Sequence, residues 1–246
     1  MIILIFFICH WYFSLFFQTF FHHRYSAHQM FTMGKFTEKV FIFISWITQG
    51  SSYLSPYSYG VLHRLHHAYA DTEKDPHSPK YDKNIWAMMW RTKNIYTEIL
   101  HNRYPVEEKF KKDLPYWPAL EKIADRWISR VTWAFIYIAI YVLFATHWWL
   151  WLLLPVQLVM GPFHGAIINW FAHLWGSAPN KVNDTSKNLL PIDFLMLGES
   201  YHNNHHAHPA RPNFGIKWYQ FDPVYPFIRL FHWMRIIRLK PIAVRV

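Results

Sequence analysis

The chain has 246 residues, enough for one substantial domain, and no glycine- or serine-rich linker or internal repeat divides it. Hydrophobic residues make up 52% and charged ones only 16%, against roughly 25% charged in soluble domains, which points away from a soluble globular protein and toward the bilayer. The formal charge of +10 accompanies 14 Trp and 15 Tyr, residues that favour membrane interfaces, and basic residues flanking membrane spans account for it without a nucleic-acid partner.

Met1 to His22 carries no formal charge and, at about 30 Å as a helix, crosses a bilayer once. It lacks a basic n-region and a small-residue cleavage site, so residues 2–22 are read as a retained span rather than a signal peptide. HRYSAH follows at 23–28. Its His23 and His28 are five residues apart, about 140° around an ideal helix, so they face one point only if the helix bends or ends between them; otherwise they serve two metals. Residues 40–62 are long enough to cross but are interrupted by Ser45, Thr48, Gln49, Gly50, Ser51, Ser52, Ser55, Pro56 and Ser58. A crossing here would put HRYSAH and the next histidine box about 30 Å apart, whereas metal–imidazole bonds are about 2 Å, so an interfacial or re-entrant segment is expected.

HRLHH at 63–67 places His63, His66 and His67 at i, i+3 and i+4, on one side of a helix, and HNNHH at 202–206 repeats that spacing with His202, His205 and His206. Between them, Val131 to Asn180 contains no Asp, Glu, Lys or Arg. At a helical length of about 75 Å it makes a two-span hairpin over 131–146 and 148–173, turning near Thr146 and His147, with Pro155 and Pro162 as bends. Asn169 and His173, at i and i+4, share a face on the protruding end of the second arm. Basic residues crowd 64–130 and the tail after Arg211, which puts the boxes on the cytoplasmic side. The expected fold is a single all-α integral membrane domain over 1–246, with three to four transmembrane helices and a cytosolic helical cap holding a histidine-rich di-metal site.

Neutral imidazole suits iron, zinc, copper and nickel, and the one cysteine, Cys9, cannot build a thiolate site. The boxes and His173 supply nine histidines. Two octahedral ions offer about twelve positions, which nine imidazoles and a few waters fill with room for a small reactant such as dioxygen. A dinuclear centre is the economical reading.

HRYSAH, HRLHH and HNNHH, in that order around a hairpin carrying NWFAH, resemble the integral-membrane fatty acyl desaturases, specifically the acyl-CoA desaturase (delta-9, stearoyl-CoA desaturase-like) type. AYADTEKDPHSP at 68–79 is similar to the family's DPH segment after the second box, and KWYQFDP at 217–223 to the stretch after the third. The resemblance implies a non-haem di-iron enzyme that uses O2 to turn a saturated acyl thioester, expected to be acyl-CoA, into a cis-monoene. It implies His23, His28, His63, His66, His67, His173, His202, His205 and His206 as ligands of two Fe2+ ions, with Asn169 bound through a water. Asp71, Asp75 and Glu199 are candidate acceptors for imidazole N–H groups. The implied partners are the acyl thioester, membrane lipid and a separate electron donor, ferredoxin-like or a haem carrier. Eukaryotic members have two spans before the first box where this chain has 22 residues, so a compact bacterial inner-membrane enzyme with three spans is expected.

A hydroxylase or monooxygenase of the same membrane di-iron group, acting on an alkyl, sterol or carotenoid substrate, is the nearest competing reading, and a non-enzymatic metal or haem carrier is a further one. A soluble carboxylate-bridged di-iron protein is disfavoured: of the two ExxH sequences, Glu98–His101 lies in a charged connection and Glu199–His202 overlaps the third box. His10, His147 and His164 are read as turn, packing or interface residues.

Overall fold

A computed structural model describes residues 1–241. Helix α1, Ile2–Phe17, continues without a break into a π-helical segment, Gln18–Ala27, that carries the first histidine box. A short strand β1, Phe31–Met33, pairs antiparallel with β2, Ile237–Leu239, and ties the chain after this box to the C-terminal tail. The stretch at 40–62 is not one helix. Helix α2, Lys35–Gln49, stops at Gly50, the chain turns through a 3-10 segment at Gly50–Ser52, and α3, Pro56–Tyr69, sets off again toward the second box. Gly50 is required at this turn, because its φ is +53° and a Cβ there would overlap the Tyr137 hydroxyl. Pro56 opens α3 at a position where its missing N–H costs nothing, just after Ser55.

Helix α4, Ile85–Leu100, is capped by the Asn84 side chain, which accepts from Ala87 N at 2.9 Å. Two short helices follow, α5, Glu108–Lys111, and α6, Pro118–Ala124, before the apolar α7, Trp127–Phe144. A 3-10 segment at Trp148–Leu153 leads into α8, Leu154–Leu158, then α9, Met160–Ala166, a π-helical Ile167–Phe171 and α10, Ala172–Leu174. The two halves of this arm, Trp148–Leu158 and Met160–Leu174, meet at 77°. Pro162 supplies the cause: it has no N–H for the carbonyl of Leu158, which instead accepts from Ser51 Oγ at 2.8 Å. The third box lies on α11, His202–Ala207, and α12, Tyr225–Trp233, ends the helical part.

The protein is thus mostly helical, with two helices long and apolar enough to cross a membrane, or three if the bent pair is one span. A fourth such helix is not found among the described residues. On α7, Val131, Phe135, Ile138 and Val142 form an exposed apolar stripe, as expected where hydrocarbon is the solvent. The largest buried cluster packs Phe17, Phe20 and Phe21 against Phe31, Phe41 and Phe214, so the end of α1 is clamped between α2 and the loop that follows the third box.

A buried polar group ties α6 to the turn after α2. Tyr53 Oη donates to Glu121 Oε1 at 3.0 Å, and burial pushes the Glu121 carboxyl up to about 7. The folded state therefore holds a proton that the unfolded chain releases near pH 4.5, so this contribution is full below that pH and is lost as pH rises to about 7. Glu121→Gln should remove this component. In detergent, the variant's melting midpoint should fall less than the wild type's between pH 4.5 and 7; parallel profiles would rule the assignment out.

Candidate metal centre

The i, i+5 pair of the first box is reconciled by π winding. His28 N bonds to His23 O at 3.1 Å, an i→i−5 contact that brings the two rings within 5.0 Å of each other. The second box rides on α3. The third sits on a six-residue helix too short to persist alone, and buried amides hold it: Asn204 Nδ2 donates to Phe214 O and Gln220 Oε1, each at 2.9 Å, while its Oδ1 accepts from Asn180 and Asn188.

Nine histidines gather in two neighbouring groups. His23, His28, His63, His67 and His205 have ligand atoms within 4.8 Å of one another, and so do His66, His173, His202 and His206. Each i, i+3, i+4 trio is split between them. His63 and His67, one turn apart, go to the first group, while His66, about 100° round from His67, points into the second; His205 parts from His202 and His206 in the same way. The Nε2 atoms converge: His23 to His205 is 2.9 Å, His28 to His63 2.9 Å, His67 to His205 3.0 Å and His173 to His202 3.0 Å.

Four of the opposite ring nitrogens are held from outside. His23 Nδ1 lies 2.7 Å from Glu199, His66 Nδ1 2.9 Å from Asp75 and His206 Nδ1 2.8 Å from Asp184, while His173 Nδ1 lies 3.1 Å from Thr185 Oγ1 and 3.8 Å from Asp71. A carboxylate at Nδ1 keeps the proton there and leaves the Nε2 lone pair facing inward, which is the ligating tautomer. Burial, and then the neighbouring imidazoles, push His63, His202, His205 and His206 well below the ordinary histidine value, so they are neutral. Burial alone would raise the Asp75 carboxyl, but His66 and His77 beside it together outweigh that and hold it below the usual carboxylate range. Glu199, opposed in the same way by burial, is held down by His23 and Arg24 and also accepts from Thr19 Oγ1.

Neutral, inward-facing imidazoles at these separations form a donor set that fits metal ions, because bonds of about 2 Å place ligand atoms across one ion about 4 Å apart. Asn169, one turn before His173, borders the same cavity as His23, His63 and His202. That cavity, of about 920 Å³, has Leu15, Leu62, Ile168 and Met196 in its walls and extends to Lys93 and Arg126.

A profile of the family described as Fatty acid desaturase matches residues 1–231. The chain belongs to the fatty acid desaturase family. It is 31% identical over 225 residues to the Delta-9 desaturase-like 5 protein of Arabidopsis thaliana, covering 87% of this chain and 68% of that one. It is 29% identical over 211 residues to Delta-9 acyl-lipid desaturase 2 of the same plant (85% and 65%) and 29% identical over 213 residues to the Acyl-CoA C20 Delta5-desaturase of Anemone leveillei (86% and 65%). The chain spans about two thirds of the length of these relatives. Membership accords with apolar helices and a metal-binding site, and makes this a membrane protein of the delta-9 desaturase type.

Sequence reasoning missed three residues of the site. Asp184 and Thr185 reach it from a loop with no histidine and no periodicity, so nothing in the sequence marked them. His77 was visible in DPHSP; its ring lies 4.3 Å from that of His66, tilted by 33°, and it shares a potential ligand group with His66 and Asp75. Asp184 offers a test on this desaturase. Removing its carboxylate from His206 by Asp184→Ala should weaken metal retention by about 10- to 100-fold, read by dialysis against a graded chelator. Unchanged retention would show that Asp184 is only a loop residue.

Proposed function

We propose that the protein is an O2-dependent fatty acyl desaturase that converts a saturated acyl thioester to a cis-monoene at a pair of iron ions. The supporting observation is the convergence of nine imidazoles, Nε2 inward, beside a largely apolar cavity of about 920 Å³. His23, His28, His63, His67 and His205 would hold one ion and His66, His173, His202 and His206 the other, with Asn169 reaching one through a water. When bound, the iron pair supplies redox chemistry that zinc or magnesium lacks: O2 is reduced to two waters with two electrons from the two C–H bonds broken and two from a separate ferredoxin-like or haem carrier.

The chain's own residues do the rest. Asp75, Glu199 and Asp184 hold protons on the Nδ1 atoms, and Asp71 with Thr185 does so for His173, so the ring planes are set before substrate arrives. Leu15, Leu62, Ile168 and Met196 exclude water and fix the acyl chain against the histidines. Lys93 and Arg126 meet the anionic head of the substrate, whereas Arg130 is already bonded to the carbonyls of Ser51 and Tyr53. The spans are α1, α7 and the bent α8–α9 arm, within a single domain. The α2–α3 hairpin dips into the bilayer from the cytoplasmic side, where the basic residues and the metal centre lie.

The substrate is expected to be acyl-CoA; the relatives' names include both acyl-CoA and acyl-lipid desaturases. The test is expression in a host that makes no unsaturated fatty acids, followed by lipid profiling and by assay of purified protein on stearoyl-CoA and on stearoyl phospholipid. A new cis-monoene supports the reading, an alcohol in its place makes the protein a monooxygenase, and untouched saturated chains with metal bound overturn it.

A further inference from the structure

We propose that α12 lies flat in the head-group layer of the leaflet beside the metal centre, with one apolar arc below the lipid phosphates and its basic residues set against anionic phospholipid. At roughly 100° per residue, the nine residues of α12 divide into three arcs. Ile228 and Phe231 face the core. Phe227 and Leu230, with Met234 just beyond the helix, form a second arc and are 47%, 44% and 52% exposed. Trp233, 79% exposed, stands at its border, and the exposed Arg229 and His232 fill the third arc. A helix with a packed arc, a bare apolar arc and a polar arc meets three surroundings at once: protein, lipid and water.

What covers the bare arc follows from its neighbours. The ring of Phe227 packs edge-on against Phe16 at 5.3 Å, and Phe13, one turn earlier on the charge-free α1, is exposed. Phe231 packs on Phe20 at 5.5 Å and on Phe41 at 6.1 Å, so α12 crosses the end of α1 and the flank of α2. On the other side, the loop before the third box adds the exposed Phe194 and Leu195, tied to α1 by a bond from Trp11 Nε1 to Leu195 O at 3.0 Å. The bare arc thus continues the lipid-facing surface of α1, and a protein partner could reach it only by displacing lipid from that span. The charge then selects the head group. From Val224 to Lys240 there is no Asp or Glu, while Arg229, Arg235, Arg238 and Lys240 are all exposed. Cations at the rim of an inserted arc attract anionic heads, and tryptophan at its border is the side chain that favours this depth.

The test places a nitroxide at Leu230→Cys, Met234→Cys or His232→Cys, each in the full chain carrying Cys9→Ser, in nanodiscs. Depth is read by electron paramagnetic resonance from the ratio of collisions with oxygen to collisions with a water-soluble nickel chelate. Labels at 230 and 234 should favour oxygen, and the label at 232 the chelate. Should the 230 variant fail to fold, the 234 variant carries the comparison. Chelate access at 230 and 234 equal to that at 232 would put the arc in water and overturn the insertion. Shielding of 230 and 234 from both collision partners would show that protein, such as a second copy, covers the arc, and would overturn it equally. Head-group selectivity is read separately, from spin-labelled phosphatidylglycerol against spin-labelled phosphatidylcholine immobilised by the unlabelled chain. Phosphatidylglycerol should be favoured about twofold or more, and most of that preference should vanish in Arg229→Gln/Arg235→Gln/Arg238→Gln. An unchanged preference in that variant would overturn the anionic-lipid assignment. None of these readouts depends on desaturation, so they stand or fall apart from the acyl-desaturase reading.

Discussion

A His205→Ala variant is expected to form no detectable monoene and to lose metal. The Nε2 of His205 lies 2.9 Å from that of His23 and 3.0 Å from that of His67, so it joins the first and second boxes. Its ring also packs on Phe214 at 4.6 Å, which leaves little room for another side chain or a replacement ligand. Residues that act as a unit fail together, so desaturation should drop on the order of 10³-fold or more rather than by a one-ninth share. Bound metal, counted by mass spectrometry on the purified protein, should fall from about two ions per chain to about one or fewer. His232→Ala, on exposed α12, serves as the control and should behave as wild type. Wild-type metal content and monoene yield in His205→Ala would remove His205 from the centre and with it the five-histidine grouping.

Asp222→Asn should cause the largest loss of stability. Arg24 Nη2 and Asp222 Oδ2 lie 2.7 Å apart with both side chains fully buried, and the guanidinium stacks 3.9 Å over Phe214 while bonding to Thr19 Oγ1 at 2.6 Å. Asp222 in turn accepts from the backbone N–H groups of Phe214 at 2.9 Å and Val224 at 3.0 Å. The pair thereby fastens the first box to the loop after the third, one residue from His23. Removing one partner strands the other charge in a low dielectric, at about 3–5 kcal/mol, equivalent to roughly a 10 °C fall in the melting midpoint in detergent. The double variant Arg24→Met/Asp222→Leu removes both charges and should recover much of that loss. An Asp222→Asn midpoint equal to wild type, or a double variant worse than the single, would show that the pair does not hold the boxes together.

Much was legible before any coordinates, because the signals involved are local. Charge-free runs at 1–22 and 131–180 announce bilayer helices, since no lipid-facing segment of that length tolerates charge; serines, a glycine and a proline between 45 and 58 interrupt what would otherwise read as another span. The histidine spacings and DPHSP are equally local and carried the family resemblance that the profile match shows.

How the nine rings are shared was not legible. A spacing of i, i+3, i+4 says that three side chains lie on one side of a helix, but not that His66 and His67 diverge into separate groups, which depends on what His173, His205 and His206 bring from elsewhere. The i, i+5 pair could not be resolved either, because π winding of Gln18–Ala27 is imposed by packing and carries no residue signature. Asp184 and Thr185 lie 22 and 12 residues along the chain from His206 and His173, outside any helical repeat, and only folding places them behind those imidazoles. By itself, then, the sequence determined the class of solvent, the helical segments and the kind of ligand, since each depends on residues near one another along the chain. Tertiary structure alone decided the grouping of ligands and the carboxylates that orient them, because each depends on which separated side chains meet.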